Sequence, residues 1–387
     1  MSRKLIFLVG MFCVLTTSWA GTDHDLIKNL DSRIHSLPEG RGSLIKSFTN
    51  HSQSYIYDQA LAIIAFTKNN DKNKARKLLT GLKSLQRDDG SLYFSYYLNG
   101  KSPYPEEGDK RFAGAIAWVA LSAVHYQHKF KSKEFLNFNF RILSYLESQM
   151  HPLKVNGVQT RAISFSPVDV PSTPWKENDV AALEHNLDAY AAFQQFAEIN
   201  NHKKWIGEIQ QLKKFILAMW DEKQAHFWSG ASFKTGQINK SELYLDNQSW
   251  SLLALDHKTL QKIKPDEALN LNCDAFYVKH EGVNGFMDSK PVRRPASSKF
   301  VWSEGTLGQV LAMSKITKIS KKALHCQGKN SVDYLKSIKK MKKSDGGIAY
   351  STTTPNPDFT NASSVAGTAW LYFAANDFNP FHIEGLN

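Results

Sequence analysis

Four acidic residues stand at the beginning of runs of small and apolar residues: Asp58, Glu184, Asp246 and Glu304. A carboxylate in the first turn of a helix commonly accepts a free backbone N–H, so capping explains each residue taken alone about as well as chemistry does. As a set they predict more, because cleavage of a glycosidic bond needs one protonated carboxyl and one ionised carboxylate around one space. We predict that these four supply the acid and the base. Glu184 and Asp246 are favoured because their surroundings are the most polar.

Polar and aromatic residues near the same run beginnings predict a surface that holds a sugar. Sugar rings lie flat on aromatic faces, and polar side chains bind the hydroxyl groups. The predicted substrate-binding residues are Tyr57, Arg111, His185, Asn186, Asp188, Tyr190, Gln248, Trp250 and Trp302. For the aromatic residues on apolar runs, core packing is the competing interpretation.

The segment from Glu184 to Tyr190 is the densest in polar groups. Glu184 and Asp188 share one helix face through their four-residue spacing, and His185 lies beside them. Histidine and carboxylates also bind metals, but no second histidine follows three or four residues later and no HExxH motif is present. We therefore predict no metal and no cofactor, and we expect His185 to hold or titrate a neighbouring carboxylate.

The runs themselves predict the scaffold that positions these residues. Their beginnings resemble one another and recur at intervals of 54 to 73 residues, which is a repeat too regular for chance. They read YDQALAIIAF from Tyr57, RFAGAIAWVAL from Arg111, EHNLDAYAAF from Glu184, DNQSWSLLAL from Asp246, SEGTLGQVLA from Ser303 and AGTAWLYFAA from Ala366. Each run is apolar on most faces, which is typical of a buried helix.

Amphipathic runs rich in Lys and Glu lie between the buried ones and predict solvated outer helices. They cover 24–37, 71–86, 132–150, 202–220, 258–271 and 321–342. Six helical hairpins with one buried helix each predict an all-α fold, an (α/α)6 barrel in which the hairpins close into a ring. We expect residues 21–387 to form this single domain, with all buried helices beginning at one end of the ring.

Residues 1–20 predict an export signal outside the fold. Arg3 and Lys4 precede an apolar run from Leu5 to Leu15, and Ser18-Trp19-Ala20 offers small residues for cleavage after about Ala20. Cleavage would remove two positive charges from the net charge of +12 and leave one pair of cysteines, Cys273 and Cys326. The pair is open to two interpretations, one disulfide or two buried thiols.

Composition excludes several classes of protein. The chain of 387 residues is 42% hydrophobic and 22% charged, which is typical of a globular domain and not of a disordered or fibrous one. No stretch after residue 20 is apolar over the length that a membrane helix needs, so we expect no membrane contact after cleavage. The basic residues are spread over the outer runs and not gathered with aromatic residues into one patch, so nucleic acid is not an expected partner.

The pattern resembles the six-hairpin glycosidase superfamily, whose (α/α)6-barrel enzymes include inverting endoglucanases, unsaturated-uronide hydrolases and sugar 2-epimerases. The resemblance covers about residues 50–380. It rests on the six run beginnings, the EHNLDAY segment, Tyr244–Trp250 and Trp302–Gly305. It is architectural and matches no single family's catalytic pair, so it implies a carbohydrate-active enzyme without assigning its site.

Three functions stay open at this point. The first is a secreted glycoside hydrolase that uses two of the four carboxylates on an oligosaccharide or polysaccharide. The second is a lyase for an acidic glycan, which would use His185, Tyr190 or Tyr244 together with Arg111, and which the positive net charge would suit. The third is a glycan-binding protein without activity on the same fold.

Overall fold

The computed structural model describes residues 23–100, 110–167, 179–291, 299–356 and 358–385. The predicted signal peptide lies outside these residues. Within them, no helix is long and apolar enough to cross a membrane.

Six inner helices alternate along the chain with outer ones. The inner helices are α2 (Ile56–Lys68), α4 (Ala113–Phe130), α6 (Leu183–Asn200), α8 (Leu245–Ala254), α11 (Ser303–Ser320) and α13 (Val365–Ala375). The outer helices are α1 (23–32), α3 (Lys72–Leu85), α5 (Leu136–Ser148), α7 (Ile206–Ala218), α9 (His257–Leu260), α10 (Pro265–Phe276) and α12 (Ser331–Ile338). The amphipathic run predicted over 258–271 is thus two helices, because Pro265 begins a new one.

Each inner helix packs against the next inner helix, and α13 packs against α2. These contacts confirm the (α/α)6 arrangement, with the ring of inner helices closed by its last and first members. The inner helices are buried on nearly every side. In α2, for example, only Tyr57 and Lys68 keep some exposure. Burying a Leu or Ile side chain stabilises the fold by roughly 1.5–3 kcal/mol, so this ring of helices is the hydrophobic core.

Short strands connect the helices, which the prediction of an all-helical chain did not include. Within the described residues they form eight two-stranded antiparallel pairs. The strands are β1 (Ile34–Ser36), β2 (Ser43–Ile45), β3 (Gln53–Tyr55), β4 (Ser95–Tyr97), β5 (Met150–Val155), β6 (Val158–Ile163), β7 (Val180–Ala182), β8 (Trp220–Asp221), β9 (His226–Phe227), β10 (Gly230–Ser232), β11 (Glu242–Tyr244), β12 (Tyr277–His280), β13 (Val283–Phe286), β14 (Ser289–Pro291), β15 (Ile348–Ala349) and β16 (Ser363–Ser364). Most have two to four residues, too few for a two-residue alternation to stand out in a sequence.

A repeated polar contact ties these extended segments to the inner helices. The fourth residue of five inner helices bonds the backbone of an extended segment that precedes the helix. The pairs are Gln59 with Ile45, Asn186 with Ile163, Gln248 with Phe227, Thr306 with Phe286 and Thr368 with Ile348. Buried backbone groups need partners, so this position holds each connection against the first turn of its helix.

Cys273 of α10 and Cys326, in the segment after α11, form a disulfide whose Cα atoms are 5.4 Å apart. The structure thereby decides the question that the sequence left open. The bond closes a loop of 53 residues. A disulfide across a loop of that length stabilises a fold by roughly 4 kcal/mol, because it lowers the conformational entropy of the unfolded chain.

Candidate active site

The mouth of the ring is formed by the first turns of the inner helices. Glu184, Asp246 and Glu304 are each the second residue of their helix, in α6, α8 and α11. Tyr57 holds the same position in α2 and Gly114 in α4. Because the ring is closed, equivalent positions face a common space, and three carboxyl groups meet there.

Glu184 and Asp246 share a hydrogen bond. Burial raises the pKa of Asp246 well above its ordinary value, and the negative charge of Glu184 raises it further. Burial also raises the pKa of the Glu184 carboxyl. The hydrogen bond and charge of His185, together with the hydrogen bond from Asp246, outweigh burial and bring that pKa below 4.5. Asp246 therefore holds the proton and Glu184 carries the charge.

Both members of this carboxyl pair can be reached from the mouth. The Glu184 side chain keeps 31% exposure, and Asp246 is half-buried. His185 Nε2 lies 3.3 Å from Glu184 Oε1, and its ring stacks on Phe165 at 4.1 Å between centroids. The stacked ring is held in one orientation beside Glu184.

Glu304 is more deeply buried than the carboxyl pair and accepts hydrogen bonds from two phenols. The hydroxyls of Tyr57 and Tyr350 donate to it, and Tyr57 also accepts a bond from Trp370 Nε1 at 3.0 Å. Burial, with the charges of Asp58 and Glu184, raises the pKa of Glu304 to about 8.

Asp58 follows Tyr57 and is the third residue of α2. Its hydrogen-bond partners belong to the scaffold. It accepts hydrogen bonds from the Ser47 hydroxyl and from the backbone N–H of Ala366, in the first turn of α13. Burial raises its pKa to about 7, with Arg33 near enough to oppose the shift. Asp58 therefore caps the helix beside its own and joins the two ends of the ring.

A cluster of aromatic rings closes the ring axis below the carboxyl pair. The rings of Trp250 and Trp370 are parallel within 7°, with centroids 5.7 Å apart. Trp118 packs edge-on against both, and Phe381 packs against Trp118 at 4.9 Å. These contacts form an aromatic floor next to Tyr57, whose ring packs on Trp118 and Trp250.

The predicted binding residues divide into two groups. Tyr57, His185, Asp188, Trp250 and Trp302 surround the carboxyl groups or the floor beneath them. Asn186 and Gln248 are fully buried, and each makes three hydrogen bonds to backbone groups of the connecting segments. The structure therefore gives these two amides a scaffold role, and we leave them out of the substrate surface.

Two further predicted residues belong to other parts of the structure, Tyr190 to a groove along α6 and Arg111 to an ion pair with Asp89. Tyr190 lies along α6 in a groove with Asp256 and Glu198, outside the mouth. Arg111 is buried and its Nη1 lies 3.1 Å from Asp89 Oδ2, in the turn after α3. Its charge is thus balanced within the protein.

Tyr350 is the site residue that the sequence analysis missed. It follows β15, donates to Glu304, and stacks on Phe359 at 5.5 Å. A signal was present, because Tyr350 stands in an extended piece after the Asp345-Gly346 turn and a similar aromatic piece follows the Asp89-Gly90 turn. Among the described residues, no three His, Cys, Asp or Glu side chains are grouped to hold a metal ion.

We expect Glu304→Gln to flatten the decline of stability with rising pH. The folded state holds a proton on Glu304 up to about pH 8, whereas the unfolded chain releases it near 4.5. Between these values the folded state binds more protons, so unfolding free energy falls as pH rises. The slope of stability against pH is measured from calorimetric midpoints of both proteins between pH 5 and 8. Glu267→Gln, on the exposed face of α10, is the control. Equal slopes for Glu304→Gln and wild type would contradict the buried, neutral Glu304.

The sequence matches no known protein family, and no curated protein matches it. Solved structures do match over nearly the whole chain. An alpha-mannanase of glycoside hydrolase family 76 from Bacteroides thetaiotaomicron has a TM-score of 0.61 and 12% identity, covering 93% of this chain and 95% of its own. A sugar epimerase from a ruminal bacterium has a TM-score of 0.65 and 11% identity, covering 91% and 96%.

A family 8 endoglucanase from Klebsiella pneumoniae also matches, with a TM-score of 0.54 and 14% identity over 91% of this chain and 99% of its own. At such identities the likeness concerns the fold. This chain therefore shares the (α/α)6-barrel fold with these solved structures.

Proposed function

We propose that the protein is a glycoside hydrolase that acts on a neutral oligosaccharide or polysaccharide. One observation carries this proposal: the hydrogen-bonded pair of Asp246 and Glu184, one protonated and one ionised, lies accessible at the mouth of the ring. That difference in protonation is what hydrolysis of a glycosidic bond requires of two carboxyl groups.

In the proposed reaction the substrate enters between the two carboxyl groups and breaks their hydrogen bond, and Asp246 gives its proton to the glycosidic oxygen as the bond from the anomeric carbon to that oxygen breaks. Glu184 acts on the anomeric carbon, either by attacking it or by taking a proton from the water that does so. If Glu184 attacks, Asp246 recovers its proton from the water that releases the sugar from Glu184; if Glu184 is the base, it ends the cycle with the proton that it took from water. Their shared hydrogen bond offers a direct path for returning it to Asp246.

The surroundings of the pair suit these roles. His185 lies 3.3 Å from Glu184 and favours its charged form. Tyr57 and Trp250 line the mouth and floor with aromatic surface on which a sugar ring can stack. Among the structural neighbours, a mannanase, an endoglucanase and an alpha-amylase bear the names of polysaccharide hydrolases.

The lyase alternative finds less support. Of the residues it would use, Tyr190 lies outside the mouth, Arg111 is paired with Asp89, and the Tyr244 hydroxyl is bonded to Glu242. The carboxyl cluster would also repel a uronate, since Glu184 is ionised. A neutral glycan avoids this cost.

Replacing either member of the pair by its amide should stop cleavage. We expect Glu184→Gln and Asp246→Asn each to lower kcat/KM by about 10² or more, because a positioned acid or base contributes that much. Thermal midpoints should change little, since the amides keep size and most hydrogen bonding. Glu267→Gln, on exposed α10, serves as the matched control. Reducing ends are measured on a panel of neutral and uronic polysaccharides.

Two results would refute the proposal. One is wild-type turnover in both amide variants. The other is product that absorbs as an unsaturated uronide, which would identify a lyase. Glycan binding without any cleavage would instead identify a binding protein.

The pH profile of kcat/KM should be bell-shaped. Activity needs Glu184 ionised, so it should be lost only as pH falls below the ordinary glutamate value of 4.5. It also needs Asp246 protonated, so it should be lost as pH rises through a value well above 3.8. The two limbs belong to the pair as a unit. Activity that increases steadily from neutral to alkaline pH would contradict Asp246 as the proton donor.

Export completes the proposal. The predicted signal peptide and the disulfide between Cys273 and Cys326 both suit an oxidising compartment outside the cytoplasm. N-terminal sequencing of the protein recovered from its native host should begin near Gly21. A mature protein that still begins at Met1 or Ser2 would contradict cleavage.

A further inference from the structure

A cavity of about 220 Å³ lies where α2 and α4 end and the chain after α13 crosses them. Because the inner helices begin at the mouth, this cavity is at the opposite end of the ring. Its lining is rich in basic side chains, which are Lys68, His125, His128, Lys129 and Lys131. Lys129 and Lys131 are exposed, so the cavity opens to solvent on their side. The proposed hydrolysis uses none of these residues.

The positive charge of this cavity is not balanced by the acidic side chain beside it. Among the described residues of the lining only Glu384 is acidic, and its Oε1 lies 2.5 Å from Lys68 Nζ, whose charge it neutralises. Within the part of the chain that the structure describes, Lys129 and Lys131 form no ion pair. Burial lowers the pKa of His128, and the charges of these two lysines lower it further. The end of α4 therefore carries two uncompensated charges.

The competing interpretation is that these lysines serve the end of their helix. Lysine side chains near a helix end commonly offset the partial negative charge of its last carbonyl groups. Lys315 shows this arrangement, because its Nζ donates to the carbonyl groups of Leu253 and Leu255 at the end of α8, at 2.9 and 2.8 Å. Neither Lys129 nor Lys131 donates to a carbonyl group of a described residue. Both ammonium groups are therefore available to a ligand.

We propose that this cavity binds a small tetrahedral oxyanion, phosphate or sulfate, through Lys129, Lys131 and His128. Lysine binds such anions as a compact positive charge with three hydrogen-bond donors. A water molecule takes up about 30 Å³ in the liquid, so the cavity has room for the anion together with waters of hydration. A neutral sugar would leave the two lysine charges unbalanced. The inference does not depend on the proposed hydrolysis at the mouth.

The cavity also lies beside the C-terminal segment of the chain. His128 forms a hydrogen bond with the backbone of Glu384, and His125 Nε2 donates to the carbonyl oxygen of Pro380 at 2.8 Å. Phe381, which lies between these two points of the segment, packs into the aromatic floor of the ring. An anion in the cavity would therefore tie the last turn of α4 to the segment that carries Phe381.

The test titrates the full-length mature protein with sulfate by calorimetry at constant ionic strength, because salt screens exposed charges. The wild type should bind sulfate saturably. Lys129→Gln/Lys131→Gln should raise the Kd at least about tenfold, since two charged hydrogen bonds are lost. Lys321→Gln/Lys322→Gln is the matched control, because Lys321 ends α11 in the same left-handed conformation that Lys131 has at the end of α4. The control should keep the Kd within about twofold.

The pH dependence of sulfate binding tests His128. Sulfate does not titrate between pH 6 and 8, so a change in its affinity over this range comes from the protein. The charged and titratable groups around His128 are Lys68, His125, Lys129, Lys131 and Glu384. Burial lowers the pKa of His125 to about 4, so that ring stays neutral. A bound anion favours protonated His128, so sulfate should bind at least about threefold more tightly at pH 6 than at pH 8. His128→Gln should remove the difference.

Phosphate probes separate the two sources of such an anion. Inorganic phosphate, methyl phosphate and glucose 6-phosphate are titrated in the same way. Inorganic phosphate that binds at least as tightly as both esters would identify a site for the free ion. An ester that binds at least about tenfold more tightly would identify a site for the phosphate group of a larger molecule, because the rest of that molecule then adds contacts. Either result sustains the inference.

Three results would overturn the inference. The first is no saturable binding of sulfate or phosphate to the wild type. The second is an equal loss of affinity in Lys129→Gln/Lys131→Gln and in its control, which would indicate a general attraction to a basic surface. The third is a sulfate affinity that is the same at pH 6 and pH 8 in the wild type, because His128 would then take no part in the site.

Discussion

Closing six inner helices into a ring brings the second residue of each helix to a common axis, and the other features of the mouth follow from that constraint. Three of those positions carry carboxyl groups, Glu184, Asp246 and Glu304. Like charges in a space with little water cannot all ionise. Protons are therefore retained on Asp246 and Glu304, while His185 lets Glu184 keep its charge. The closed ring thereby gives chemically similar carboxyl groups different protonation states, and the proposed hydrolysis depends on that difference.

The first turn of the inner helices serves both the site and the scaffold, and the two roles fall on different residues of the turn. The second residue faces the axis, whereas the fourth reaches outward to the extended segment that precedes the helix. Asn186 and Gln248 occupy that fourth position and use their amides on backbone groups. Their neighbours Glu184 and Asp246, two residues earlier, are thereby held in a fixed orientation toward each other.

The fold alone does not decide the reaction, because proteins of the same architecture include a mannanase, an endoglucanase and a sugar epimerase. What distinguishes this chain from those proteins is the set of side chains that the common fold positions at the mouth. The protonated Asp246 beside the charged Glu184 suits hydrolysis.

The sequence by itself determined the architecture and the set of polar residues from which the site is drawn. Six buried runs with similar beginnings can only hide their apolar faces by packing on one another, so the ring, its inner and outer helices and the carboxyl positions followed from periodicity. Tertiary structure decided which of these residues meet. Asp58 and Glu184 both occupy a first turn, yet Asp58 caps α13 and Glu184 faces Asp246. Asn186 and Asp188 are two residues apart, yet one bonds the connecting segment and the other packs against Gly114 of α4. Tyr350 and the disulfide partners are likewise brought to their places by the ring. A side chain's direction depends on the neighbours that surround its helix, and those neighbours come from distant parts of the chain.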